Sequence, residues 1–183
     1  MDLLPRQYIS AAATLLAGCA LLPTQQAPNP PLLAPGSLGQ TRSAAQVLHA
    51  KFGEHQFDLQ CALTADPQQI SLIAIGPLGR RVFSVRYDGA RVLSQGSAEA
   101  PPGLVPERVL ADVELALWPL AAWQARLDGG DWQLSEPRPG LRRLLYRGRL
   151  MEEVRYAAAD PWTAPLWLTS FEPAYTLEID PQT

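Results

Sequence analysis

The sequence predicts an α+β domain made mostly of antiparallel β-strands: a curved, half-open β-barrel covered by a helical insert. Three observations carry that expectation. Residues 56–95 read as four successive strands separated by tight turns, residues 105–127 switch to helical spacing, and strand patterns resume from Trp132. A long antiparallel sheet with one helical interruption must bury an apolar face, and curling the sheet around the helix is the simplest way to do so. A plain sandwich is the alternative. The two-sided apolar character of Ile70–Ile75 and the Trp118/Trp123 pair favour a covered concavity.

The elements follow in order. Phe57, Leu59, Cys61 and Leu63 alternate with Gln56, Asp58, Gln60 and Ala62, the period-two signature of a half-buried strand. Asp66-Pro67 makes a turn into Ile70–Ile75, a strand apolar on both faces. Gly76-Pro77-Leu78-Gly79 reads as a β-turn, with proline second and glycine fourth. Arg81–Tyr87 and Ala90–Gln95, joined at Asp88-Gly89, complete a meander. Val105-Pro106-Glu107 opens a helix, since proline is tolerated in a first turn and an acid is favourable there. Val109, Val113, Ala116, Leu117 and Leu120 recur at helical spacing, with Arg108, Asp112 and Glu114 at polar positions between them. Pro119 stops or kinks this helix, and Leu120–Leu127 forms a second short one. After the Asp128-Gly129-Gly130-Asp131 loop, strands are expected at Trp132–Ser135, Leu141–Tyr146, Arg149–Tyr156, Leu166–Phe171 and Tyr175–Ile179.

A chain of 183 residues suits one domain, and 47% apolar with 18% charged residues is a globular composition. The formal charge of -3 argues against a broad nucleic-acid surface, which needs a basic excess. The basic side chains are arginines apart from Lys51. With Cys19 otherwise engaged (below), Cys61 has no intrachain partner and reads as a small buried hydrophobe.

Residues 1–18 read as a signal peptide: Arg6 supplies the basic start, and Tyr8–Gly18 is an apolar run of about eleven residues, too short for the ~20 that a bilayer span needs. The run ends Leu16-Ala17-Gly18-Cys19, which resembles the lipobox of bacterial lipoproteins. That resemblance implies an S-diacylglyceryl group on Cys19, cleavage before it, and an N-acyl chain such as palmitate on the new amine. Ala20 stands where an aspartate would retain a lipoprotein at the inner membrane, so the expected location is the outer membrane, lipid-anchored and facing the periplasm. Residues 19–43 form the lipidated N-terminus and a tether rich in proline (Pro23, Pro28, Pro30, Pro31, Pro35), extended at about 3.1 Å per residue. Residues 44–183 are the folded domain.

Catalytic constellations are not expected. His49 and His55 lack zinc-ligand spacing. Ser37, in Gly36-Ser37-Leu38-Gly39, lacks the nucleophile-elbow pattern. Glu152 and Glu153 are adjacent, so in a strand they face opposite ways. Arg142, Arg143, Arg147, Arg149 and Arg155 give a basic hairpin, either a solvated surface or a contact for anionic headgroups. No enzyme, metal or cofactor is expected, apart from the covalent acyl groups on Cys19.

Taken in order, Ile73-Ala74-Ile75-Gly76-Pro77-Leu78-Gly79, an acidic helix start, Leu117-Trp118-Pro119-Leu120-Ala121-Ala122-Trp123, a Trp-Gln-Leu strand and a hairpin ending Val154-Arg155-Tyr156 resemble the LolA/LolB lipoprotein-carrier superfamily, specifically LolB. The likeness spans most of residues 44–180 and lies in order and spacing more than in identities. It extends to LolB-like lipoproteins that accompany gene sets for aryl-polyene or fatty-acid-like lipids. It implies a non-enzymatic outer-membrane lipoprotein that binds acyl chains of a lipid or lipoprotein and helps insert the cargo. Membrane lipid, that cargo and a periplasmic LolA-like carrier are the implied partners; nucleic acid is not. Pro77, Leu78 and Gly79 match the loop whose leucine presses into the membrane. Leu78 either projects from the loop tip or folds back onto the sheet. Phe83, Val85, Tyr87, Trp118 and Trp123 either line an acyl-chain pocket or form the core. The rival expectation is a structural or assembly lipoprotein that docks partner proteins at the outer membrane.

Overall fold

The computed structural model describes residues 28–96 and 105–182. The signal peptide, Cys19 and the tether as far as residue 27 lie outside the described residues. Ten strands form one sheet: β1 (Arg42–Phe52), β2 (His55–Ala65), β3 (Ile70–Ile75), β4 (Arg81–Tyr87), β5 (Val92–Gly96), β6 (Trp132–Arg138), β7 (Leu141–Tyr146), β8 (Arg149–Tyr156), β9 (Leu166–Phe171) and β10 (Ala174–Gln182). Helices α1 (Pro106–Leu117) and α2 (Leu120–Leu127) fall between β5 and β6. The spatial order is β5-β4-β3-β2-β1-β10-β9-β8-β7-β6, with every described pairing antiparallel.

Because β5 and β6 are the two edges, the sheet does not close into a barrel. It is nevertheless bent around the insert, since α1 touches β4 on one wing and β9 on the other. This is the expected α+β architecture. From Leu110 to Trp118 every residue is buried, including Asp112 and Glu114, and Arg108 is buried one turn earlier. The polar positions of the helical repeat therefore face protein rather than solvent. The end of α1 is satisfied by a distant residue: Arg142 donates from Nη1 to the carbonyls of Leu115 (2.6 Å) and Trp118 (2.9 Å). A cation at a helix C-terminus answers both its open carbonyls and its dipole. Among the described residues, no helix is long and apolar enough to cross a membrane.

One strand was not foreseen, and one expectation needs correction. β1 is a strand of eleven residues that the alternation did not reveal, because its inward positions include Gln46 while Val47 and His49 point away from the core. The described part of the tether is not free. Pro30, Leu33, Pro35 and Leu38 are buried, Pro35–Leu38 forms a 3-10 turn, and the Leu33 N–H donates to Glu114 Oε2 at 2.8 Å. Pro35 packs so closely on the β4–β5 turn that a Cβ at Gly89 would lie 3.3 Å from its Cδ. Residues 28–41 thus form a strap over the helix, held by inserted leucines and prolines that a composition argument averages away.

Candidate functional site

Antiparallel order places the β1–β2, β3–β4, β7–β8 and β9–β10 turns at one end of the sheet, and α1 starts at this end. Between the first turns of α1 and the sheet lies a cavity of about 250 Å³. Leu48, Ala50 and Phe52 of β1, Leu59 of β2 and Phe83 of β4 supply its apolar wall, and Asn29, Val105 and Pro173 lie at its margin. Phe52 stacks on Tyr175, with ring centroids 4.9 Å apart. At ~30 Å³ per heavy atom, water's share of liquid volume, this is room for about eight atoms.

One corner of the cavity is charged. Arg108 and Asp112 are one turn apart on α1 and share a face. Arg108 Nε donates to Tyr175 Oη (3.0 Å), and Nη2 donates to Ser170 Oγ (3.1 Å) and to Glu152 Oε1. Tyr175 Oη in turn donates to Asp112 Oδ2 at 2.6 Å. Asp112 Oδ1 lies 3.3 Å from Arg108 Nε but accepts no hydrogen bond, and it belongs to a residue on the cavity wall. Burial pushes both carboxyls above their ordinary range; Asp112 adds to the rise at Glu152, and Arg108 opposes it at both. Burial also raises the Tyr175 phenol, which keeps its proton as a donor.

The exposed turn stands at the same end. The Gly79 N–H donates to the Gly76 carbonyl at 3.0 Å, closing the turn, and Gly79 takes φ 72°, a left-handed conformation natural to glycine. Leu78 is 85% exposed and projects from the tip. Arg80 and Arg81 follow on the exposed side. Leu59 is shared between the cavity wall and the hollow beside Pro77 and Leu78. Val105 and Phe171, at 44% and 49%, add exposed apolar surface at this end.

Of the residues expected to bind an acyl chain, Phe83 lines the cavity. Val85 and Tyr87, further along β4, and Trp118 and Trp123 are buried in the core outside this wall. Trp123 Nε1 donates to the Glu114 carbonyl at 3.1 Å, a structural bond. The arginine run is divided: Arg142 caps α1, Arg143 and Arg155 both bind Glu153, Arg147 pairs with Asp131 and Arg149 with Glu172. Glu152 faces the interior, opposite in sense to Glu153, as strand alternation requires. On the outer face His49 pairs with Asp58 at 2.6 Å, which holds its pKa above the ordinary value, while His55 is exposed beside Phe57. Burial pushes the Cys61 thiol up to about 12, so it is inert.

The polar corner escaped sequence reasoning. Arg108 and Asp112 are separated by 40 or more positions from Glu152, Ser170 and Tyr175, so no local spacing unites them. One faint signal exists: Glu152 and Glu153 sit at the centre of a strand with Met151 and Val154 on either side, and alternation turns one of the two inward.

A family model described as "Protein of unknown function (DUF3261)" matches residues 43–183. No curated protein matches the chain.

Proposed function

This chain belongs to the DUF3261 family, and from that premise we propose that it is a LolB-like lipoprotein, anchored through Cys19 at the periplasmic face of the outer membrane. In this reading it shelters part of an acyl chain of a lipid or lipoprotein and helps deliver it to the bilayer. The mechanism is binding without covalent chemistry. One observation carries the proposal: an apolar cavity lies at the same end of the sheet as a turn that presents Leu78 to solvent.

Magnitudes limit the cargo. About seven sheltered methylenes at ~0.8 kcal/mol each offer about 6 kcal/mol. Association costs reduce that to weak, reversible binding, which suits hand-over. The cavity accepts a stretch of one chain, so a cargo with several chains engages one at a time. Release follows when the bilayer offers the same burial.

Leu78 is the decisive test. A leucine side chain passing from water into lipid gains roughly 1.5–3 kcal/mol. Leu78→Glu is therefore expected to fold normally and to slow transfer of a fluorescent phospholipid between vesicles by about ten- to hundredfold. Undiminished transfer by the folded variant would sink the delivery role.

The second reading, a lipoprotein that docks partner proteins, draws on β5. Among the described residues this edge strand pairs only with β4, and its Leu93 is exposed. Native mass spectrometry of the purified protein separates the two: co-purified lipid supports sheltering, and lipid-free protein supports docking.

A further inference from the structure

We infer that the cavity under α1 selects a short alkyl chain bearing a neutral, hydrogen-bond-donating head, a hydroxyl or an amide, over a free carboxylate. The inference rests on the sheltering role and names the ligand class of that same cavity. It begins with charge. The polar corner holds one guanidinium, Arg108, against two carboxyls, Asp112 and Glu152, all three buried. A carboxylate arriving from a ligand meets a site whose cation is already paired with Asp112 and Glu152. In a poorly solvated corner a charge without a partner of its own is costly to bury.

Hydrogen-bonding capacity points the same way. Tyr175 Oη is engaged twice, accepting from Arg108 and donating to Asp112 Oδ2. Asp112 Oδ1, buried and on the cavity wall, is an acceptor with no hydrogen-bond donor among the described residues. Arg108 Nε, 3.3 Å away, gives this oxygen a charge partner but no hydrogen bond, and a ligand O–H or N–H supplies one where a carboxylate cannot. The apolar wall of Leu48, Leu59 and Phe83 then takes the alkyl part. A chain of about eight heavy atoms fills the space.

Isothermal titration of the purified protein at neutral pH with heptan-1-ol, heptanamide and heptanoate reads this preference. The alcohol and the amide are expected to bind at least ~10-fold more tightly than heptanoate, the scale of one open hydrogen bond plus an unpaired buried charge. Asp112→Asn removes one negative charge and replaces the open acceptor with an amide; it is expected to bring the alcohol-to-acid ratio below about threefold. Circular dichroism confirms that the variant is folded; if it is not, the ligand series on the unaltered chain decides alone. Equal affinity for all three ligands overturns the head preference and leaves sheltering standing. Binding of none overturns sheltering as well. An unchanged ratio in folded Asp112→Asn overturns the assignment to this corner.

Discussion

Glu114 gathers three bonds into one turn of α1. Its carbonyl accepts from the Trp118 N–H and Trp123 Nε1, and its Oε2 accepts from the Leu33 N–H. The side chain is fully buried, and burial pushes its carboxyl up to about 8, with the Leu33 bond pulling the other way. A carboxyl whose folded pKa lies above its unfolded value stabilises the fold fully below about 4.5, and that contribution is lost as pH rises through about 8. Glu152 adds a dependence of the same sign. Urea unfolding is therefore expected to show stability falling from about pH 5 to about pH 9, by on the order of a few kcal/mol. Glu114→Gln is expected to flatten that slope, and an identical slope would acquit Glu114. At this scale the sequence was partly legible. The turn that carries Leu78 was readable because Gly-Pro-X-Gly has a definite shape, and the face of Phe83 because alternation fixes it, whereas the direction of Leu78 and the choice of pocket or core for Phe83 were left open. Arg108, Asp112 and Glu114 were not, because helical periodicity treats a polar residue as a solvent residue. The groups that make their burial tolerable come from Leu33, Glu152 and Tyr175, far away in the chain.

Among the elements, the strap is the one that composition misreads. Proline-rich segments remain extended in solution because they have too little to bury. Here Pro30, Leu33, Pro35 and Leu38 carry just enough apolar surface to lie along α1 and the turns below it. Leu33, almost wholly buried, is expected to contribute most. Leu33→Ala should cost about 2–4 kcal/mol in chemical denaturation and expose residues 28–41 to limited proteolysis. A loss below about 0.5 kcal/mol with unchanged cleavage would show that the strap is ornamental. The strands β2 to β4 and β7 to β9 were readable because each pairs with a neighbour across a short turn. β1 was hidden because it is central: covered on its inner face and flanked on both sides, it carries a glutamine inward at position 46 and a histidine outward at 49.

For the whole molecule, the meander was local and legible, whereas its closure was not. β1 pairs with β10, so the first and last strands meet in the middle of the sheet, with His49 opposite Glu178. Such a contact spans nearly the entire domain, and no turn signal announces it. Removing β10 (residues 174–183) is expected to separate the two wings and abolish cooperative unfolding, read by circular dichroism and gel filtration. A truncated chain that still unfolds in one sharp transition would show that the wings stand alone. The strap carries a further consequence at this scale. Pro30 is already pinned, and Asn29 lies at the rim of the cavity. In the proposed reading, nine residues separate an acylated Cys19 from Asn29, a leash of at most about 36 Å even when drawn out fully. With the anchor proposed at Cys19, a leash tied at the mouth, and not at the far pole, would keep the opening at a high effective concentration over the bilayer and turn it toward the surface. The proposed mooring would then set orientation as well as address.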